Sequence, residues 1–192
     1  EGVAFRRSGG SGELAVRFFE RLLRHTKGEW AGEAFGLQGW QAKIVRDVFG
    51  WKRADGTRKF RRVYIEIPRK NGKSTLSAGM ALLLLFADGE PGAEVYSAAA
   101  DREQAAIVFE QAKQMAVGSP ALARHAEVYK RAIVVPESMS SYKVLSSDAP
   151  TKHGLNAHGV IFDELHAQPN RELWDVLTTG MGSRRQPLLV AI

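Results

Sequence analysis

The most constraining feature of this sequence is a run of small and apolar residues from Ser74 to Phe86. The run is too short to span a membrane, because a transmembrane helix needs about 20 apolar residues. It predicts instead a helix that is apolar on nearly every side, which requires a large core around it. The preceding residues, Arg62 to Ile67, predict a strand, and a short polar loop separates the two. The local order is therefore strand, loop and buried helix.

The rest of the chain continues this alternation. Residues 93–99 predict another short strand, and Asp101 with Gln104 forms a capping box that begins a helix. Further segments with strand or helix patterns follow at 128–135, 142–146, 159–162, 171–177 and 188–192. Strands that alternate with helices are typical of a mostly parallel sheet with helices on both faces. We therefore expect an α/β fold of this kind.

The amino-terminal part has a different pattern. Residues 8–12 are rich in glycine and serine and predict a flexible lead-in to a helical arm. We divide the chain into this lead-in and arm, over residues 1–36, and a main domain over residues 37–192. The chain begins with Glu1 and ends within an apolar strand, so we expect it to be part of a longer protein.

Composition limits the possible chemistry. The absence of cysteine excludes a disulfide scaffold, a thiolate nucleophile and a cysteine zinc site. The 27 Lys and Arg residues outnumber the 21 Asp and Glu residues, and the net charge of +6 suits an anionic partner such as nucleic acid. The histidines lack metal-ligand spacing, and we interpret them as core or surface residues: His25, His125, His153, His158 and His166.

Basic residues concentrate around a predicted hairpin whose turn is Asp55 and Gly56. The cationic side chains of this hairpin are Lys52, Arg53, Arg58, Lys59, Arg61 and Arg62. We expect them to lie at a solvated edge, where basic residues also oppose aggregation. The alternative is that they contact phosphates of DNA or a neighbouring subunit.

The loop before the buried helix carries the clearest chemical motif. Gly72, Lys73 and Ser74 resemble the end of a P-loop, the pattern G-x-x-x-x-G-K-[ST]. In such a loop, backbone N–H groups cradle phosphates, the lysine reaches the β- and γ-phosphates, and the hydroxyl holds Mg²⁺. Ile67 replaces the first glycine of the pattern, so the loop is a deviant one. We predict that ATP contacts the loop residues Arg69, Lys70, Asn71, Gly72, Lys73, Ser74 and Thr75.

A second motif lies at the end of the apolar segment 159–162, where Asp163 and Glu164 follow directly. One carboxylate at a strand end can hold Mg²⁺, and the second can orient or deprotonate an attacking water. We assign Asp163 to Mg²⁺ together with Ser74, and Glu164 to the general base. Arg69 is predicted to stabilise the charge that develops in the transition state. The alternative is that its guanidinium is only a solvated charge on the loop. The predicted catalytic residues are Glu164, Arg69 and Lys73.

Five stretches of the chain resemble the ATPase domain of tailed-phage terminase large subunits: residues 37–41, 68–74, 98–105, 146–156 and 160–166. The resemblance implies a P-loop NTPase fold of the additional-strand, catalytic-glutamate class that binds ATP and Mg²⁺. It also implies a motor that packages double-stranded DNA into a procapsid in the host cytoplasm. Such motors are homo-oligomeric rings that work with the phage portal and the small terminase subunit. The nuclease domain of the family is expected beyond this chain, so the activity expected here is a Mg-dependent ATPase.

The resemblance implies roles for individual residues. Gln41 matches the adenine-contacting glutamine of the family, and Arg69 matches its P-loop arginine. The family's phosphate, magnesium and Walker B residues are matched by Lys73, Ser74, Asp163 and Glu164. Many members carry an arginine, proposed to act on a neighbouring subunit's ATP, where this chain has Lys152. Lysine is a point charge and not a planar fork, so the trans-acting role stays open among Lys152, Arg102, Arg124 and Arg131.

Two other functions remain as alternatives. Asp163 to His166 also resembles the D-E-x-H box of a helicase-type motor domain, although the missing first glycine and Arg69 argue against it. The other alternative is a nucleotide-dependent ring-assembly module that binds ATP but hydrolyses little of it as an isolated fragment.

Overall fold

A mixed sheet lies at the centre of the computed structural model, which describes residues 5–7, 9–68, 70–146 and 154–192. The strands of this described part are β1 (Phe5–Arg7), β2 (Trp51–Arg53), β3 (Arg62–Tyr64), β4 (Glu94–Ala99), β5 (Glu127–Val128), β6 (Ala132–Val135), β7 (Ser140–Ser146), β8 (Ala157–Phe162) and β9 (Leu188–Ala191). Its α-helices are α1 (Gly9–Leu22), α2 (Gly39–Gly50), α3 (Lys73–Phe86), α4 (Arg102–Gly118), α5 (Pro120–Ala123) and α6 (Glu172–Gly180). Short 3-10 turns occur at Pro136–Ser138 and Leu165–Ala167.

Seven of these strands form one sheet in the order β3-β9-β8-β4-β7-β6-β5. The first five in this order are parallel to one another, whereas β6 and β5 are antiparallel to their neighbours. The expectation of a mostly parallel sheet is confirmed. Because parallel strands all end at the same edge of a sheet, the loops that follow β3, β4 and β8 leave from one edge.

Helices cover both faces of the sheet, as the sequence pattern predicts. All six residues of β8 are buried. Ile161 in β8 packs in the same cluster as side chains of α1 to α4, whereas Val160 and Phe162 pack with Leu173 and Leu177 of α6. Side chains alternate between the two faces of a strand, so this one strand contributes to both cores.

The predicted buried helix is confirmed as α3, in which every residue from Leu76 to Leu85 is buried. Helix α1 covers part of it, and the Phe19 ring lies so close to Gly79 that a Cβ there would be 2.1 Å from Cε1 of the ring. Helix α4 adds Phe109 to the same apolar cluster. None of the helices in the described part of the chain combines the length and apolar character that a membrane span requires.

The glycine-rich start of α1 corrects the prediction of a flexible lead-in. Residues 9–12 form the first turn of α1, and Ser8 lies outside the described residues. Gly12 is buried against α2, where a Cβ would lie 2.7 Å from the carbonyl oxygen of Arg46. The Arg46 side chain also donates a hydrogen bond of 2.5 Å to Glu13 of α1. Glycine is used here for a close approach between two helices.

The predicted hairpin is confirmed, because the N–H of Arg53 donates to the Thr57 carbonyl at 2.8 Å across the turn. Arg61 and Arg62 are exposed, as expected for a solvated edge. The same expectation is wrong for Arg58, whose side chain is fully buried. The physical reason is an ion pair that only the tertiary fold creates.

Arg58 pairs with Asp88, which follows α3. Its Nη1 and Nη2 donate to the two carboxylate oxygens at 3.0 and 2.6 Å, and His158 Nε2 lies 2.7 Å from Asp88 Oδ2. Burial raises the pKa of Asp88. Hydrogen bonding to His158 and the charge of Arg58 lower this pKa by a larger amount, so it lies below its ordinary value of 3.8. The Asp88 carboxylate is therefore a buried anion that links the end of α3 to Arg58 of the hairpin and to His158 of β8.

Replacing Asp88 with Asn is expected to lower the free energy of unfolding by about 3 to 5 kcal/mol, because it leaves the Arg58 guanidinium buried without its counter-charge. The measurement is urea denaturation near neutral pH. Asp175→Asn is the matched control, since Asp175 forms an exposed pair with Arg171 at 3.6 Å and its loss should cost less than about 1 kcal/mol. Equal losses in the two variants would contradict this account.

The same variant gives a pH test. Asp88 has a lower pKa in the folded chain than the ordinary 3.8, so its contribution is complete above pH 3.8 and is lost as pH falls through the folded-state pKa. The stability difference between the wild type and Asp88→Asn should therefore shrink on acidification.

Candidate active site

The loop after β3 and the carboxylates after β8 lie at one edge of the sheet, separated by β9 in the strand order. Neighbouring strands are about 4.8 Å apart, so elements two strands apart are separated by about 10 Å. Side chains that extend from both sides can close such a gap. The fold therefore brings together the two motifs that the sequence indicates.

The loop that precedes α3 ends at a glycine with a left-handed backbone. Gly72 lies directly before α3 with a φ of 75°, in the left-handed region that favours glycine. The first N–H groups of a helix have no intrahelical acceptor and attract anions. Lys70 and Asn71 are exposed beside this helix end, and Ser74 lies in its first turn. Arg69 lies outside the described residues.

Lys73 joins the two motifs. Its Nζ lies 2.6 Å from Oε1 of Glu164 and 3.1 Å from Oδ1 of Asp163. The Lys73 side chain is 24% exposed and the Asp163 side chain 7% exposed. Burial lowers the pKa of Lys73, but the hydrogen bonds to Glu164 and Asp163 outweigh it and raise the pKa above its ordinary value of 10.5. The ammonium is therefore charged at neutral pH and bridges both carboxylates.

The backbone on each side of β8 holds the carboxylates in place. The N–H of Asp163 donates to the carbonyl of Ala98 in β4 at 2.9 Å, and the N–H of Glu164 donates to the carbonyl of Ile192 at 3.0 Å. Oδ1 of Asp163 also accepts from the N–H of Glu164 at 3.0 Å. The acidic pair is thus attached to both neighbouring strands.

The hydroxyl of Thr75 accepts a hydrogen bond that the sequence does not predict. Gln111 of α4 donates a hydrogen bond of 2.7 Å to Oγ1 of Thr75. This contact ties the first turn of α3 to α4. The two residues are distant in sequence and belong to no shared motif, so pattern analysis had no signal for the pair.

Gln41 lies beside the loop that precedes α3. It is 5% exposed, and its Oε1 accepts from the backbone N–H of Gln38 at 2.9 Å. Its Nε2 is directed toward Gly72, at 3.5 Å from the position that a Cβ would occupy there. The carbonyl end of the Gln41 amide therefore caps α2 while its NH₂ end approaches the loop.

The trans-acting candidates are dispersed. Arg102 begins α4, close to the edge at which β4 ends, but its side chain lies outside the described residues, as does Lys152. Arg124 donates to the carbonyl of Pro120 at 3.0 Å, and Arg131 is exposed in the turn between β5 and β6. The strands β5 and β6 lie at the opposite end of the sheet from β3. The fold does not bring Arg124 or Arg131 into the chain's own site.

His166 is a surface residue, as the sequence predicts, and it also lies beside the acidic pair. Its Nε2 is 3.2 Å from Oε2 of Glu164, a contact that the sequence analysis does not include. Its imidazole is 79% exposed. The spacing of the D-E-x-H pattern was the available signal, because it places an imidazole two residues after the carboxylate.

Comparisons with known proteins identify relatives. Residues 39–192 match the family model described as terminase large subunit, ATPase domain. The terminase large subunit of Enterobacteria phage HK97 is 32% identical over 187 residues, covering 94% of this chain and 36% of the relative. The crystal structure of the HK97 large terminase aligns with a TM-score of 0.80 at 30% identity, over 94% of this chain and 37% of that chain. This chain therefore spans well under half the length of these relatives.

A more distant similarity concerns the fold. The ATPase domain of the Thermus phage P74-26 large terminase aligns with a TM-score of 0.56 at 22% identity, over 68% of this chain and 58% of that chain. At this level of identity, the match supports a shared fold and nothing more specific.

Replacing Lys73 with Met, which keeps the length of the side chain but removes its charge, is expected to destabilise the nucleotide-free chain by about 1 kcal/mol near neutral pH. The reason is that Asp163 and Glu164 lose the cation between them. Urea denaturation measures the loss. Lys113→Met is the control, because Lys113 makes a looser pair with Glu110 at 3.8 Å.

The pH dependence of that loss has a definite sign. The Lys73 pKa is raised above 10.5 in the folded chain, so its contribution is complete below pH 10.5 and disappears as pH rises through the folded-state pKa. A difference between wild type and Lys73→Met that grows with alkalinity would contradict the ion cluster.

Proposed function

This chain belongs to the family of terminase large subunit ATPase domains, and we propose that it hydrolyses Mg·ATP to drive double-stranded DNA into a phage procapsid. The proposal of ATP hydrolysis rests on one observation: Lys73 contacts both Asp163 and Glu164 at one edge of the sheet. A phosphate-binding cation and two carboxylates are the groups that phosphoryl transfer to water requires.

Lys73 changes partners in this proposal. In the structure, its ammonium neutralises the carboxylates, at 2.6 Å from Glu164. The triphosphate binds at the start of α3, beside Gly72, where helix N–H groups and a nearby cation favour anions. Lys73 then turns to the β- and γ-phosphates, which are stronger anions within reach of the same side chain. Glu164 is released from its ammonium partner when the nucleotide is in place.

The residues fit Mg²⁺ as the metal. The Lys73 ammonium between Asp163 and Glu164 marks a place that attracts a cation, and hydroxyl and carboxylate oxygens are the ligands that Mg²⁺ prefers. Ser74 and Asp163 would hold it, together with phosphate oxygens. Among the described residues, no group of three or more His, Cys, Asp and Glu side chains is placed to hold a metal. When bound, Mg²⁺ neutralises phosphate charge.

Other side chains act on the bound nucleotide. Glu164 accepts a proton from the attacking water as the general base. Arg69, in the phosphate loop, stabilises the charge that spreads over the γ-phosphate in the transition state. Gln41 directs its NH₂ end toward the loop and contacts the adenine edge. Lys70, Asn71 and Thr75 are the other residues of the loop that contact ATP.

Assembly completes the motor. We assign the lead-in and arm to residues 1–36 and the ATPase domain to residues 37–192, in a homo-oligomeric ring that contacts the portal and small terminase subunit in the host cytoplasm. The trans-acting residue is one of Lys152, Arg102, Arg124 and Arg131. Arg124 and Arg131 lie near β5 and β6, at the far end of the sheet from β3, so they can serve only a neighbouring subunit's site. The nuclease belongs to a further domain.

The test is steady-state ATP hydrolysis together with equilibrium ATP binding. Glu164→Gln is expected to bind ATP but to hydrolyse it at least about 100-fold more slowly, because the amide cannot accept the proton. Lys73→Ala should lose affinity for ATP, because the cation that contacts the phosphates is removed.

The matched control is Glu137→Gln, which removes the charge of an exposed carboxylate that contacts His125. It should hydrolyse ATP like the wild type. Normal hydrolysis by Glu164→Gln would reject Glu164 as the base, and ATP binding without turnover by the wild type would reject hydrolysis by this chain.

A further inference from the structure

The imidazole of His166 contacts the carboxylate that the proposed function uses as a base. Its Nε2 lies 3.2 Å from Oε2 of Glu164, whereas Nζ of Lys73 lies 2.6 Å from Oε1. The two groups therefore hold different oxygens of one carboxylate. In the proposed function, Lys73 leaves Glu164 to contact the phosphates of a bound nucleotide. His166 has no phosphate contact in that proposal and can stay beside Glu164.

The backbone brings His166 back beside Glu164. Glu164 has φ 52° and ψ 50°, a left-handed conformation that is uncommon for a residue with a side chain. The 3-10 turn that follows is closed by a hydrogen bond of 2.9 Å from the N–H of Ala167 to the carbonyl of Glu164. Leu165 in this turn packs against the apolar cluster around α6. The turn is therefore attached to the domain core while the imidazole remains at the surface.

We propose that His166 is a positioning residue for Glu164, an inference that rests on the proposed function. An N–H at Nε2 donates to Oε2 and keeps the carboxylate oriented after Lys73 leaves Oε1 for the phosphates. Oε1 then presents its lone pair to the attacking water. A carboxylate that rotates freely presents the wrong geometry for part of the time, which slows proton abstraction without weakening nucleotide binding.

The exposure of His166 separates this role from a structural one. An exposed pair such as this one, with the imidazole 79% exposed, contributes little to folding stability. Loss of the imidazole should therefore change turnover and leave the unfolding transition in place. A residue that served only to support the fold would show the opposite result.

The experiment compares kcat, ATP affinity and urea unfolding in three variants. His166→Ala is expected to lower kcat by about 10-fold, with the ATP dissociation constant within about twofold of wild type, as for an interaction used in the transition state. His166→Gln restores an N–H donor and should recover most of the lost kcat. His125→Ala is the matched control, because His125 is also an exposed histidine beside a carboxylate, at 3.0 Å from Glu137.

Glu164→Gln and the double variant with His166→Ala separate the possible failures. If His166 acts through Glu164, the double variant is no slower than Glu164→Gln alone. Normal turnover by His166→Ala, while Glu164→Gln is inactive, would overturn the His166 inference and leave the proposed function standing. Equal losses in His166→Ala and His166→Gln would also overturn it. Normal turnover by Glu164→Gln would instead overturn the proposed function and, with it, the inference.

A second measurement does not depend on turnover. Long-range ¹H–¹⁵N spectra report each imidazole ring of the nucleotide-free chain, and His166→Ala assigns the signal. Glu164→Gln should shift the His166 ring resonances and leave those of His125 unchanged. Unshifted His166 resonances would show that the contact is absent in solution and overturn the inference.

Discussion

The burial of α3 on every side determines how the rest of this chain is arranged. Ten consecutive residues, from Leu76 to Leu85, have no exposed face, so the sheet, α1 and α4 must all pack around one helix. The close approach of Phe19 to Gly79 shows how tight that packing is. Because α3 is packed on every side, its first residue, Lys73, projects from a well-packed helix at the sheet edge. The apolar core thus places the cation of the candidate active site.

The structure contains two clusters in which a cation pairs with carboxylates, one at Arg58 and one at Lys73. They differ in how accessible they are to solvent. Arg58 and Asp88 are both buried and joined by a bidentate pair with His158 beside them. A buried pair of this kind is costly to separate and keeps its partners. Lys73 is 24% exposed, and in the proposed function this access lets it exchange its carboxylates for phosphates. Accessibility, more than charge, distinguishes the buried Arg58 cluster from the Lys73 cluster that we propose to be catalytic.

Much of the fold and the core of the site could be predicted from local pattern. The alternation of strands and helices predicted the parallel sheet, because period and apolarity reflect burial. Gly72-Lys73-Ser74 and Asp163-Glu164 were recognisable because each motif follows its own strand. The Gly-rich start of α1 is helical and not flexible, since the composition that allows flexibility also allows a helix to approach Arg46 closely.

Other features had no local signal. Arg58 looked like its solvated neighbours in the hairpin, and its burial depends on Asp88 and His158, which arrive from elsewhere in the chain. Gln111 contacts Thr75 only because α4 packs beside α3.

The amino-acid sequence by itself determined which segments become strands and helices, which loop resembles a phosphate-binding loop, and which strand ends in carboxylates. Those properties are encoded by residue type and short-range spacing. The tertiary structure alone decided that Lys73 bridges Asp163 and Glu164, that Arg58 is buried, and that His166 lies against the proposed base. The physical reason is that electrostatic and hydrogen-bonding partners are selected by distance in space, and distance in space is set by how the sheet orders its strands and how the core packs around α3.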